Sequence, residues 1–224
     1  MEEGRRPLFQ YEVEVSIMTE KQKEIINELY KFKSGINLYQ VFDDWVELMA
    51  YAFSNAINFM QSREDAYIAI MNKYIAEDRK RFIYMMNLLV LAMDEGFDDN
   101  LGTIYMGIEN GNKHAGQFFT PYHVCKLMSA LTNPEEGAVV NEPSCGAGAN
   151  VIAFLERCKS KGIDYQRKVE IYAQDIDFRC VCMCYVQLYL YGARATVARV
   201  DTLRDLPPEE DAVFVTFAKA GGIV

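Results

Sequence analysis

The sequence predicts an α/β protein in which a helical amino-terminal part precedes a partial, doubly wound parallel sheet. Up to about residue 114 the apolar residues recur every three or four positions, the period of amphipathic helices. After residue 115, short apolar runs alternate with helical stretches of about 10–15 residues, the grammar of βαβ crossovers. The bulk agrees: 224 residues, half apolar and a quarter charged, suffice for one domain or two small ones and exclude wholesale disorder. The division implied is a helical domain over 1–114 and a sheet domain over 115–224.

In the first part, Leu38, Phe42, Trp45, Met49, Phe53 and Ile57 mark one face of a helix between Ile36 and Met60. Ser62 with Asp65 reads as a capping box for a helix carrying Ile68, Met71 and Ile75. A further helix is predicted from about Arg79 to Glu95, with Phe82, Met86, Leu89 and Met93 on one stripe and Gly96 as its stop. The charged run Glu77 to Arg81 reads as a solvated turn, and the Trp45 stripe as core.

In the second part, Thr120 and Pro121 form an N-cap and first-turn pair for a helix with Val124, Leu127, Met128 and Leu131. Ala138 to Val140 is a first strand, ending in Asn141-Glu142-Pro143-Ser144-Cys145-Gly146-Ala147-Gly148 and a helix. Val169 to Ala173 is a second strand closing on Asp175, followed by a helix from Phe178 to Tyr191. Ala195 to Val200 is a third strand closing on Asp201, and Asp211 to Phe217 a fourth.

Ligands of such sheets lie outside the carboxyl ends of the strands. Three strands end on acids, Glu142, Asp175 and Asp201, expected in register. The Gly146-Ala147-Gly148 turn lets backbone approach a ligand at a helix start. An acid after the second strand suits ribose hydroxyls, with Asp177 a rival to Asp175, and an acid after the third suits an exocyclic amine. A dinucleotide site wants a third glycine, which this turn lacks, and Glu142-Pro143 adds charge that a pyrophosphate avoids. S-adenosylmethionine, with an ammonium, a sulfonium, a ribose and an adenine, matches the acids better.

The excess of 32 acidic over 23 basic residues gives a formal net charge of −9. Of this, −7 falls on residues 1–114 and −2 on 115–224. No dense basic cluster exists, so contact with nucleic acid needs a local patch or a partner chain. The amino terminus lacks an apolar leader-like core, and the longest apolar stretch, Tyr84 to Met93, is too short to span a bilayer. No CxxC pair occurs among the six cysteines, so reduced thiols and a cytoplasmic, non-membrane protein are expected. Cys180, Cys182 and Cys184 alternate on a helix and do not form a metal set, so no metal is expected. Cys145 reads as a packing residue at a helix start, where a thiol pKa can fall. His114 and His123 read as surface or satisfied histidines.

At Gly116-Gln117-Phe118-Phe119-Thr120-Pro121 the chain resembles the gamma-class DNA adenine N6-methyltransferases, in particular the modification subunit of type I restriction-modification systems. The similarity starts at Leu101-Gly102-Thr103-Ile104-Tyr105-Met106 and continues through the Glu142 to Gly148 turn. It resumes at Ala173 to Asp177, then Leu188 to Gly192, and ends at Asp201-Thr202-Leu203. The resemblance implies a Rossmann-like methyltransferase domain with S-adenosylmethionine as cofactor. It implies that Phe119, Thr120 and Pro121 hold the methionine portion and that Glu142, Pro143, Gly146 and Gly148 line its amino-acid and sulfonium end. Asp175 is then the ribose ligand, and Asp201, beside Thr202 and Leu203, the ligand of the adenine amine. It also implies a helical domain that contacts DNA and a specificity subunit.

The family places an Asn/Asp-Pro-Pro-aromatic motif after its fourth strand to hold a flipped adenine. Residues 211–219 carry no such motif, so no catalytic residue is named and the domain reads as incomplete at its carboxyl end. Two functions stay open: an adenine-specific DNA methylase subunit, and a cofactor-binding pseudo-methyltransferase acting through a partner chain. Methylation of a protein or small molecule is a third. With its family neighbour missing, Val213-Phe214-Val215 is expected to be an exposed edge that pairs in a homodimer or with a partner.

Overall fold

A computed structural model of the chain describes residues 18–109, 119–204 and 210–221. The expected boundary at 114/115, His114, Gly116 to Phe118 and Pro207-Pro208 lie outside the described residues. Helix α1 (Glu20–Leu29) opens on a reciprocal capping box between Thr19 and Gln22, a signal legible in the sequence but not used above. Helix α2 (Leu38–Ile57) starts where Asn37 accepts from the Gln40 amide at 2.9 Å. Its stripe buries Phe42, Trp45 and Met49.

Two local expectations are corrected. Helix α3 (Gln61–Met71) is preceded by Met60, so Ser62 already lies inside the helix and caps nothing. Helix α4 (Ala76–Asp94) takes in the charged run read as a turn. Acidic groups favour a helix's first turn, and Asp78 has a further task there. Fully buried, it accepts from the backbone amides of Lys33 (3.0 Å) and Ser34 (2.8 Å) and from the Ser34 hydroxyl (2.5 Å). Buried polar groups need such partners, so this acid fixes the α1–α2 connection. Helix α5 (Asn100–Glu109) follows.

The second part runs α6 (Tyr122–Ala130), β1 (Val139–Glu142), α7 (Ala149–Ser160), the short α8 (Tyr165–Lys168), β2 (Glu170–Asp175), α9 (Phe178–Leu190), β3 (Ala195–Arg199) and β4 (Val213–Val215). Strands β1, β2 and β3 are parallel neighbours, as the crossover pattern predicts. Strand β4 is not: it pairs antiparallel with β3, giving the order β1-β2-β3-β4. A parallel return needs a crossover of a dozen or more residues, usually a helix. The described residues between β3 and β4 supply only a three-residue 3-10 turn, Glu210–Ala212.

The sheet is accordingly mixed, and its order never reverses, so it is not doubly wound among the described strands. One face carries the buried Ile171, Ala173, Val197 and Phe214, while the other leaves Val139 67 % and Tyr172 39 % exposed.

The expected open edge at β4 is also corrected. Phe214 is fully buried, within 6.4 Å of Tyr51, 6.0 Å of Phe178 and 5.0 Å of Tyr185, centroid to centroid. The carbonyls of Val213 and Val215 accept from the Arg63 guanidinium and from Tyr185 Oη (3.3 Å). The helical part thus covers the strand that was to seek a partner. The main core runs from Ile25 and Trp45 through α9 to Phe214, with Cys180, Cys182 and Cys184 fully buried in it, and a small cluster of Cys125, Ala149 and Ala153 lies between α6 and α7. No helix among the described residues is long and apolar enough to cross a membrane.

Candidate functional site

The turn after β1 is built around two glycines in left-handed conformations. Gly146 has φ 53°, and a Cβ there would meet the Phe119 ring at 3.0 and 3.1 Å. Gly148 has φ 102°, precedes α7, and would press a Cβ on Cys184 Sγ at 3.1 Å. Only glycine takes such backbone without strain. The missing Cβ atoms bring the Phe119 ring and α9 directly against the turn.

Asp175 locks this turn to the end of β2. Its Oδ2 accepts from the Gly146 amide (2.8 Å) and its Oδ1 from the Asp177 amide (2.9 Å), while the Cys145 amide donates to the Gln174 carbonyl (2.8 Å). A carboxylate has about four acceptor positions, so each oxygen keeps one for a ligand hydroxyl. Asp177 caps α9 through the Arg179 amide (2.9 Å), a structural task that Asp175 does not share.

Glu142 ends β1, half-buried, with the Ser144 amide and Asn150 Nδ2 each 3.4 Å from its carboxylate. The Val200 amide donates to the Asp175 carbonyl (2.9 Å), which places Asp201 just beyond Asp175. Asp201 is held by the Leu203 amide and Arg204 Nε, both at 3.2 Å.

The three acids are gathered at one end of the sheet but are not in register. Glu142 lies opposite Ala173, Asp175 lies opposite Arg199, and Asp201 follows two residues later. Each step along the row moves two residues up a strand and one strand across, roughly 8 Å on standard strand spacings. An oblique row of this kind matches an extended ligand rather than a compact one.

The remaining predicted residues are less engaged. Pro121 is itself the cap of α6, without a side-chain capping bond, which corrects the Thr120-Pro121 pairing expected above. Thr120 is exposed and offers its carbonyl to Cys125 Sγ (3.7 Å). Pro143 and Thr202 are exposed, and Leu203 is 97 % exposed. Cys145 departs from a lowered pKa: hydrogen bonding with Cys184 and burial push its thiol well above the usual value.

Several residues that sequence reasoning missed hold the site in place. Tyr105 meets Phe119 edge-on at 5.7 Å, and the Arg179 guanidinium lies 4.9 Å above the Tyr105 ring while pairing with Asp43 (2.9 Å). Gln187, fully buried, donates to the Ala147 carbonyl and to Asp99 Oδ1, both at 2.8 Å, and accepts from the Leu101 amide at 3.1 Å. Burial drives the Asp99 carboxyl up to about 6. A lone polar residue among apolar neighbours on α9 was the available signal for Gln187. A cleft of about 180 Å³ between Tyr51, Ser62, Arg63, Phe178 and Arg199 does not include Glu142, Gly146 or Asp175.

The family model described as N-6 DNA Methylase matches residues 98–216, just over half of the chain. The chain is 26 % identical over 136 residues to the protein named type I restriction enzyme MjaIX methylase subunit of Methanocaldococcus jannaschii, covering 57 % of this chain and 24 % of that one. A crystal structure of a modification subunit of a putative type I restriction enzyme from Vibrio vulnificus YJ016 superposes with TM-score 0.51 at 12 % identity. That match covers 90 % of this chain and 58 % of the other, a likeness of fold. The chain spans about a quarter of the length of the curated relative and under two thirds of the solved one.

Proposed function

Since the chain belongs to the N-6 DNA methylase family, we propose that it binds S-adenosylmethionine across the carboxyl ends of β1, β2 and β3. We read it as part of the modification machinery of a type I restriction-modification system. The observation that carries the reading is Asp175, with one free acceptor position on each oxygen and the Gly146 turn hydrogen-bonded to it. The three parallel strands then form the first half of a Rossmann-like methyltransferase sheet.

The residues fit the cofactor. The oblique row of acids suits an ammonium, a ribose diol and an adenine amine in sequence. The Gly146 turn lets the Phe119 ring close against it, since a Cβ there would meet that ring, and Asn150 Oδ1 is a buried acceptor with no partner. Glu142 would hold the ammonium end, Asp175 the ribose hydroxyls and Asp201 the adenine amine. Phe119, Thr120 and Pro121 would border the methionine portion. Bound there, S-adenosylmethionine supplies an electrophilic methyl group. The chain's own part is to orient it with fixed acceptors, which is worth most where water is excluded.

Placement of the segment after β4 favours a second reading for this polypeptide by itself, a cofactor-binding module that needs a partner for methyl transfer. Because β4 runs antiparallel, residues 216–221 emerge at the amino ends of the parallel strands. Thr216 there accepts from the Ala195 amide (3.0 Å) and donates to the Ala193 carbonyl (2.6 Å), and Lys219 pairs with Glu170 at the start of β2. Six residues of β2 separate them from Asp175, roughly 17 Å. Among the described residues, none after β4 lies at the carboxyl end of the sheet, where an acceptor amine would have to be held. DNA, from the family's description, and a specificity subunit, from the resemblance to type I modification subunits, are the partners this reading proposes.

Calorimetric titration of S-adenosylmethionine tests the reading, with Asp175→Ala as the control. Micromolar binding weakened at least about tenfold by the substitution (about 1.4 kcal/mol) is expected. An intact wild-type fold that takes up no cofactor would overturn it. Tritiated methyl transfer to adenine-containing DNA by the isolated chain, expected to be nil, then separates the module from a self-sufficient enzyme.

A further inference from the structure

Asn150 is the second residue of α7, between Ala149 and Val151, both buried. Asparagine is a weak helix former, because its amide competes with the backbone. It also caps nothing here, since Gly148 precedes the helix without a side-chain cap bond. Its Nδ2 instead faces Glu142 Oε2 at 3.4 Å, while its Oδ1 is buried with no hydrogen-bond partner. Buried acceptors are nearly always satisfied, so an orphan beside a candidate site needs a reason.

Glu142 presents the complementary feature. Its carboxylate is half-buried, and among the described residues no lysine or arginine pairs with it. A carboxylate without a cation and an amide oxygen without a donor thus share one corner of the glycine turn. Both deficits are met by one kind of ligand group, a cation with several N–H donors. A primary ammonium has three, and a phosphate or carboxylate ligand has none.

Resting on the cofactor reading above, we infer that Asn150 is a specificity-determining residue for the amino-acid end of the ligand. It steadies Glu142 through its amide nitrogen and supplies its amide oxygen as a second acceptor for the ammonium. The site then distinguishes an adenosyl amino acid from a bare adenosyl thioether, which the acids at Asp175 and Asp201 cannot do.

The test is calorimetry on the full chain, wild type and Asn150→Ala, with three probes. S-adenosylmethionine carries both ammonium and sulfonium, S-adenosylhomocysteine keeps only the ammonium, and methylthioadenosine has neither. The substitution is expected to weaken the first two about tenfold and leave methylthioadenosine within about twofold. Equal losses for all three would make Asn150 a mere structural support and overturn the inference, as would unchanged binding of the first two. A wild type that binds methylthioadenosine as tightly as S-adenosylhomocysteine would overturn the inference while sparing the nucleoside site, whereas one that binds no probe would remove the cofactor reading itself. Thermal melting of Asn150→Ala should match or exceed wild type, because the change removes an unpaired buried acceptor. A lowered melting point accompanied by equal losses would be the signature of the structural role.

Discussion

Gly148 shows how one residue couples the turn to the helix behind it. With φ 102° and Cys184 Sγ 3.1 Å from where a Cβ would sit, Gly148→Ala meets both backbone strain and a clash with a fully buried side chain. A loss of about 2–4 kcal/mol is expected, since left-handed backbone contributes about 1–2 and overpacking about 1–3. Urea denaturation measures it, and a loss under about 0.5 would mean that the turn relaxes freely. Asp99 offers a second residue-scale outcome. Its folded pKa, about 6, lies above the ordinary 3.8, so the folded state holds this proton more tightly than the unfolded one. Stability therefore falls as pH rises from about 4 to about 6, by up to about 3 kcal/mol, and the penalty is fully present above 6. Asp99→Asn should flatten that part of the pH–stability curve; an unchanged slope would show that Asp99 stays ionised. Residues of this kind were invisible in the sequence because their roles depend on Gln187, 88 positions away. Asp175, by contrast, was legible, since an acid closing a second parallel strand carries its own positional meaning.

Elements were legible wherever their periodicity was long. Helices α2 and α9 and strands β1 to β3 fall within a few residues of expectation, and their apolar stripes form the core. Misreadings arose where tertiary contacts override local signals. The 77–81 run is polar in composition, yet Asp78 is buried because the α1–α2 connection needs its carboxylate. Strand β4 reads as an apolar run whose direction no local pattern records, and it pairs antiparallel with β3. The strand depends on two contacts from outside the sheet, the burial of Phe214 and the Arg63 guanidinium, 4.7 Å above that ring and bonded to the Val213 carbonyl. Phe214→Ala should cost about 3–5 kcal/mol, as for other fully buried aromatics. It should also raise amide exchange in β3 and β4 ahead of β1. Uniform exchange across the sheet would show that β4 is not a separable element.

At the scale of the whole molecule, the helical part and the sheet share one core, with α9 packed on α2, β2 and β3. A ligand seated on the turn that touches Phe119, α7 and α9 therefore stabilises everything that unfolds together. At a hundredfold excess over Kd, mass action adds about 2.7 kcal/mol. For a chain of 224 residues that is a rise of roughly 5–10 °C in Tm. It is expected as a shift of one transition, and a second, unshifted transition would show that the helical part melts independently. The charge of −9 works in the opposite sense on nucleic acid. Affinity for DNA grows with the number of phosphates neutralised by Lys and Arg. Of the described arginines near the site, Arg179 pairs with Asp43 and Arg204 with Asp201, while Arg199 donates its Nε to the Ile176 carbonyl (3.1 Å), which leaves one exposed guanidinium rather than a basic cluster. The isolated chain is thus expected to give no saturable DNA shift at physiological salt up to about 100 μM, the weak limit of ordinary non-specific binding. Cofactor binding, which draws on acids rather than on cations, should proceed undiminished. Tight DNA binding by the chain alone, falling steeply with added salt, would instead locate a basic surface outside the described residues and make the partner chain unnecessary.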